Sequence, residues 1–115
     1  MKTFSVTTDT IGKGALLRFK GELDASSSVY ADNALEEAIA ASSVFVLIEC
    51  GELTYISSAG LGVLLAAFQA CKLKEMDLVM VNMQPKIRNV FEILGLDRLI
   101  KSAETVEDAR QMIAK

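Results

Sequence analysis

Val44-Phe45-Val46-Leu47-Ile48, and a little further on Tyr55-Ile56-Ser57-Ser58-Ala59-Gly60-Leu61, decide how this chain folds. The first run is unbroken, apolar and rich in β-branched residues. That pattern predicts a central strand covered on both faces, as in a sheet with helices packed on it. In the second run a strand ends and a helix begins, with Leu61, Leu64, Leu65 and Phe68 recurring at helical spacing as its core face. Glu49-Cys50-Gly51-Glu52-Leu53-Thr54 reads as the connection between the two. At the junction stand two adjacent hydroxyls, Ser57 and Ser58. A helix N-terminus has unpaired N–H groups and a positive dipole end, so a hydroxyl suits it as a cap and a phosphate suits it electrostatically. Capping uses one hydroxyl and leaves the other unexplained.

Towards the N-terminus, two short apolar stretches (Phe4 and Val6, then Leu16, Leu17 and Phe19) flank Gly12-Lys13-Gly14, the pattern of a β-hairpin. Gly21-Glu22-Leu23-Asp24 leads away from the second strand, and Ser26-Ser27-Ser28 supplies candidate N-caps for a helix from about Val29 to Ala41. Leu35, Ala38 and Ile39 form its apolar stripe. Beyond the central helix, Lys72 and Lys74 suit the negative end of its dipole. Leu78-Val79-Met80-Val81 is the next buried strand, and Asn82-Met83-Gln84 the loop after it. Pro85 and Gly95 bracket a helix with Ile87, Val90, Phe91 and Leu94 on one side. Leu99-Ile100 reads as a short edge strand. A last helix starts at about Thr105, with Val106, Ala109, Met112 and Ile113 inward. The order β-β-α-β-α-β-α-β-α predicts a single α/β domain: a mixed, mainly parallel sheet of 4–5 strands with about four helices against it.

The 115 residues are 51% hydrophobic and 23% charged, with net charge −3 and pI near 4.9, so a compact globular chain is expected. The acidic balance argues against nucleic acid or an anionic membrane as the main partner. No signal-peptide core opens the chain, and Leu61–Phe68 is far shorter than the ~20 residues that span a bilayer. Cys50 and Cys71 have neither metal-ligand nor disulfide-framework spacing and read as buried thiols of a reducing compartment, which places the protein in the cytoplasm. The chain has no histidine, which removes Ser–His and Cys–His nucleophilic pairs, the commonest metal ligand and the near-neutral acid–base group. Catalysis by Lys, Asp or Glu stays open, but nothing in the spacing asks for it, and no cofactor, metal or enzymatic activity is expected.

From Phe45-Val46-Leu47-Ile48-Glu49 through Leu53-Thr54-Tyr55-Ile56-Ser57-Ser58-Ala59-Gly60-Leu61 the chain resembles the central signature of the STAS domain, most closely that of bacterial anti-sigma factor antagonists. The Gly21–Asp24 turn, Pro85 through Leu96, and Ser102 to Ala109 agree, so the resemblance runs over essentially the whole chain. It implies partner switching. The unphosphorylated antagonist binds an anti-sigma factor that is also a serine kinase, the kinase phosphorylates a serine at the start of the second helix, and a serine phosphatase restores it. The family's usual motif is Asp-Ser-Ser/Thr-Gly-Leu. The acceptor then falls on Ser58, with Ser57 as the alternative; Ser57 stands in place of the usual Asp, Ala59 in place of the second hydroxyl, and Gly60 on the glycine. A regulator that exchanges partners is expected to be a monomer. The same signature occurs in STAS subunits of signalling scaffolds and lipid-transport complexes that use the surface without phosphorylation.

The candidate partner-binding residues are therefore Asp24, Tyr55, Ile56, Ser57, Ser58, Ala59 and Gly60. Several also have plainer roles. Asp24 is a natural loop or capping carboxylate, although a parallel sheet would bring it to the same end as Ser58. Tyr55 and Ile56 are equally the last core positions of a strand, and Gly60 equally a close-packed helix start. Glu49 and Glu52 have no third ligand and read as solvated or turn residues. Met80, Met83 and Met112 read as core or loop fillers.

Overall fold

The computed structural model describes residues 3–113. The hairpin forms as expected: β1 (Ser5–Ile11) runs antiparallel to β2 (Gly14–Leu23), with Ile11 opposite Gly14 and Gly12 at φ +55° in the two-residue turn. Helix α1 (Ser28–Ala41) crosses to β3 (Phe45–Ile56), α2 (Ser58–Leu73) to β4 (Asp77–Val81), and α3 (Pro85–Ile93) leads to β5 (Lys101–Ala103) and α4 (Val106–Ile113). The five strands lie in sequence order, β2 to β5 all parallel, so the mixed, mainly parallel sheet is as the sequence predicts.

Alternating side chains of β2, β3 and β4 divide between two cores. Leu17, Phe19, Val46, Ile48, Leu78 and Met80 pack with α1, α2 and α3, whereas Leu16, Phe45, Leu47, Val79 and Val81 pack with Ala109 of α4. The apolar run has that appearance because Phe45–Ile48 of β3 are buried on both sides of the sheet, whereas Val44 precedes the strand and is 37% exposed. Lys74 joins the two long helices from their far end: its Nζ donates to Ile39 O at 2.6 Å and to Ser42 O at 3.3 Å. It therefore serves the free carbonyls of α1, not the dipole of its own helix.

The structure corrects the sequence reading in three places. Glu49–Thr54 is no connection but the second half of β3, and Gly21–Leu23 likewise still belongs to β2. Two register shifts put extra residues into β3, between Glu49 and Glu52 and between Leu53 and Tyr55. Each bulge resets the alternation, so Cys50, Leu53 and Ile56 all face the core at intervals of three that no regular strand shows. The core face of α2 is as expected, with Leu64 fully buried and Leu61, Leu65 and Phe68 packed half-buried against the same core, but Gly60, Ala67 and Cys71 join Leu64 on the innermost line. The expected edge strand at Leu99-Ile100 falls instead on Lys101–Ala103, because Leu96–Arg98 forms a 3-10 turn and Ile100 drops into the core. Leu94 and Met112 point outward, at 57% and 40% exposure. Gly95 adopts φ +76° just past α3, as its capping role requires.

Candidate functional site

The C-terminal ends of β2 and β3 meet at one corner of the sheet. Leu23 is opposite Ile56, and one residue on, Ser57 N donates to Leu23 O at 2.9 Å. That bond ties the turn entering α1 to the turn entering α2. Asp24 thereby lies at the same end of the sheet as Ser58, as the parallel arrangement predicts.

Ser57 is the N-cap of α2. Its backbone is extended (φ −92°, ψ 175°), and its Oγ accepts from Gly60 N at 3.2 Å while its carbonyl accepts from Leu61 N at 2.9 Å. The usual acid of the motif would cap in the same way, so serine keeps the hydrogen bond and gives up the charge. Ser58, the first residue of α2, is exposed, and its hydroxyl has no protein partner among the described residues. Ala59 is exposed beside it. Gly60 faces inward: a Cβ there would come within 2.8 Å of Leu23 Cγ and 3.0 Å of Leu23 O, so only glycine lets the first turn of α2 rest on the end of β2. Ile56 is buried in the same core, whereas Tyr55 stands 48% exposed on the surface. Of the expected contact residues, Tyr55, Ser58 and Ala59 are therefore presented outward, and Ile56 and Gly60 support them from beneath.

Asp24 is committed to its own turn. Its Oδ1 accepts from Ser27 N at 3.0 Å and Ser26 Oγ at 2.9 Å, and lies 2.9 Å from Ser27 Oγ. The Ser27 backbone N–H above all, then the two hydroxyls, hold its carboxyl below the usual aspartate range. Ser27, buried, also accepts from Asp24 N at 2.8 Å and lies 2.9 Å from Glu22 O. The sequence offered Ser26–Ser28 only as caps. The role of Ser27 in knotting this turn became visible only in three dimensions.

The remaining polar candidates have structural partners. Glu49 accepts from Gly51 N and from Asn82 Nδ2, both at 3.0 Å, and Glu52 pairs with Lys20 at 3.5 Å, both from within β3 and not from a turn. Burial pushes the Cys71 thiol up to about 11 and Cys50 higher still, so both are inert neutral thiols. Among the described residues no group of three His, Cys, Asp or Glu is placed to hold a metal ion. No helix of the described residues is long and apolar enough to cross a membrane. The corner can therefore present a hydroxyl and apolar surface to another molecule, with no base hydrogen-bonded to that hydroxyl.

Five strands in sequence order, four helices and a capped serine pair at the head of α2 define a STAS domain, and residues 5–109 match the STAS domain family, to which the chain belongs. Its relatives narrow the class to anti-sigma factor antagonists. The anti-sigma-B factor antagonist of Listeria monocytogenes is 31% identical over 81 residues, 70% of this chain and 71% of that protein. An anti-sigma factor antagonist from Mycobacterium paratuberculosis superposes with a TM-score of 0.83 at 20% identity, over 96% of this chain and 94% of that one. The anti-sigma factor antagonist SpoIIAA of Bacillus, whose structure is known in unphosphorylated and phosphorylated forms, does so with TM-scores of 0.80 and 0.74 at 21% identity, over 95% and 96% of this chain and 96% and 100% of those.

One signal lay in the sequence unread. Between Lys20 and Lys72 there is no lysine or arginine, yet Glu22, Asp24, Asp32, Glu36, Glu37, Glu49 and Glu52 fall there. In the fold that segment supplies the end of β2, α1, β3 and nearly all of α2, the elements that surround the corner.

Proposed function

We propose that this protein is an anti-sigma factor antagonist of the partner-switching kind. Unphosphorylated, it binds an anti-sigma factor serine kinase in the cytoplasm; phosphorylated at Ser58, it releases that partner; a serine phosphatase returns it to the binding form. It is a binding protein without catalytic activity, and a monomer between partners. The observation that carries this reading is the division of labour at the corner: Ser57 spends its hydroxyl on the cap, whereas Ser58 keeps its own exposed and, among the described residues, unbonded. A kinase can reach Ser58 without undoing the helix start. That favours Ser58 over Ser57 as acceptor.

Phosphorylation adds about −1.5 to −2 charges and three strong acceptor oxygens. The host fold tolerates them, since the first N–H groups of α2 and its dipole face that position. A partner packed over Ser58, Ala59 and Tyr55 would have to bury a dianion stripped of water, at a cost of several kcal/mol per unpaired ion. The switch thus works by spoiling the interface and leaves the antagonist's own fold nearly unchanged. Incubation with an anti-sigma factor kinase from the same genome and ATP, followed by mass spectrometry, tests this directly: one phosphate is expected, on Ser58. Ser58→Ala should bind that kinase constitutively and Ser58→Asp poorly. Absence of any phosphate on Ser57 and Ser58 together with equal affinity of the two variants would leave a STAS binding subunit that uses the same surface without modification.

A further inference from the structure

We propose that the groove between α1 and α2 is the second half of the docking surface and receives a basic amphipathic helix of the partner. The inference rests on the reading that the chain binds an anti-sigma factor, and not on phosphorylation. The groove has a volume of about 500 Å³. Leu35 and Ile39 floor it, Ala66 and Ala70 line its α2 side, and Asp32 and Glu36 stand on its α1 side. It lies along the same two helices that leave the Ser58 corner, because α1 and α2 both start there and run in the same direction, joined at the head by the Leu23–Ser57 hydrogen bond.

Three features identify the occupant. The exposed positions of α2 between the corner and the groove are small (Ala59, Gly62, then Ala66 on the groove itself), and a Cβ at Gly62 would meet nothing within 4 Å, so another helix can approach at backbone distance. Exposed Val29, at 59%, one turn before Asp32 on the same side of α1, adds apolar surface at the head of that helix. Asp32 and Glu36 have no ion-pair partner among the described residues, and the 51-residue stretch from Gly21 to Cys71 contains no cation to supply one. The one cation lining the groove, Lys74, is spent on the last carbonyls of α1 at the far end. A surface with an apolar floor and an uncompensated acidic wall is complementary to a helix with one apolar and one basic face, and rejects an acidic one.

The test uses the anti-sigma factor kinase from the same genome that binds the wild-type chain, with affinity measured at low and moderate salt. Ala66→Trp, which fills the groove, and the double reversal Asp32→Lys/Glu36→Lys should each weaken binding about tenfold or more, and the reversal should also flatten the salt dependence. Glu107→Lys, on α4 across the sheet, should change affinity by less than about twofold. Thermal melts establish that each variant is folded; should Ala66→Trp unfold, the charge reversal decides alone. Groove variants that bind like wild type while Ser58→Asp binds poorly would overturn the groove and leave the corner standing. Failure of the wild type to bind any anti-sigma factor of its genome would overturn both. Self-association at low salt that Glu36→Lys abolishes would give the groove to a second copy of this chain and likewise overturn the proposal.

Discussion

The turns that lead into α1 and α2 are built from the same materials and end differently. Each follows a parallel strand at the same end of the sheet, and each carries adjacent serines. In the first turn every polar group closes on another: Asp24, Ser26 and Ser27 satisfy one another and the backbone around them. In the second, Ser57 does the capping alone and Ser58 is left over. A turn that uses all its hydrogen-bonding groups is structure. A turn that keeps a hydroxyl spare on the surface, next to exposed Ala59, is free to present it to another molecule.

The contrast can be broken most forcefully at Gly60, which holds the two turns together. Gly60→Val would push side-chain atoms into Leu23, whose carbonyl lies only 3.0 Å from even a Cβ. Overpacking of this kind should cost about 2–3 kcal/mol in urea denaturation; a neutral outcome would mean that α2 does not rest on β2 as described. Next comes Ser27→Ala. It removes a buried hydroxyl that serves Asp24 N and its neighbours, and should cost about 1.5–2 kcal/mol.

The same network makes a pH prediction. Because hydrogen bonds depress the folded-state pKa of Asp24 from 3.8, its contribution is complete above the ordinary carboxylate value and is lost as pH falls through the depressed one. Wild type should therefore lose more stability than Asp24→Asn between neutral pH and pH ~3, compared by urea midpoints. An equal loss in both would show that the first turn does not hold its carboxylate ionised.

These details separate what was readable in the sequence from what was not. The hairpin, α1, β4 and the Pro85–Gly95 helix were legible because their periodicity and punctuation agree with their final environments. The second half of β3 was not, since two bulges replace strict alternation with core positions at Cys50, Leu53 and Ile56, a spacing that belongs to no regular strand. The core face of α2 was legible from Leu61, Leu64, Leu65 and Phe68, but the small residues Gly60 and Ala67, which share its innermost line with Leu64, carry no hydrophobic signal of their own. At the site, the serine pair stood out at once, whereas which hydroxyl caps and which remains spare depends on a hydrogen bond that letters do not encode. Ile56 and Gly60 could be read as contacts or as support, and only burial decided for support.

Ser57→Ala tests the cap by itself. Loss of the Oγ bond to Gly60 N should cost about 1 kcal/mol, less than Ser27→Ala because Ser57 is only half-buried and water can reach the freed N–H. Similar costs for the two substitutions would blur the distinction between a closed turn and an open one, and a larger cost at Ser57 would reverse it.

The smallest expected effect is the most telling. Ser58→Ala removes a hydroxyl that is exposed and has no acceptor among the described residues, at the first position of a helix where alanine is well tolerated. Its stability should stay within about 0.5 kcal/mol of wild type, as for surface substitutions generally. A loss of about 1 kcal/mol or more, comparable to that at Ser57, would mean that both hydroxyls are structural, and the second turn would then be as closed as the first. Near-silence in denaturation, set beside a changed response to the kinase, is the pairing that separates a hydroxyl kept for a partner from one the fold needs. The neighbouring serine serves as internal control, since it shares the turn and the chemistry of the substitution, and differs chiefly in having a hydrogen bond to lose.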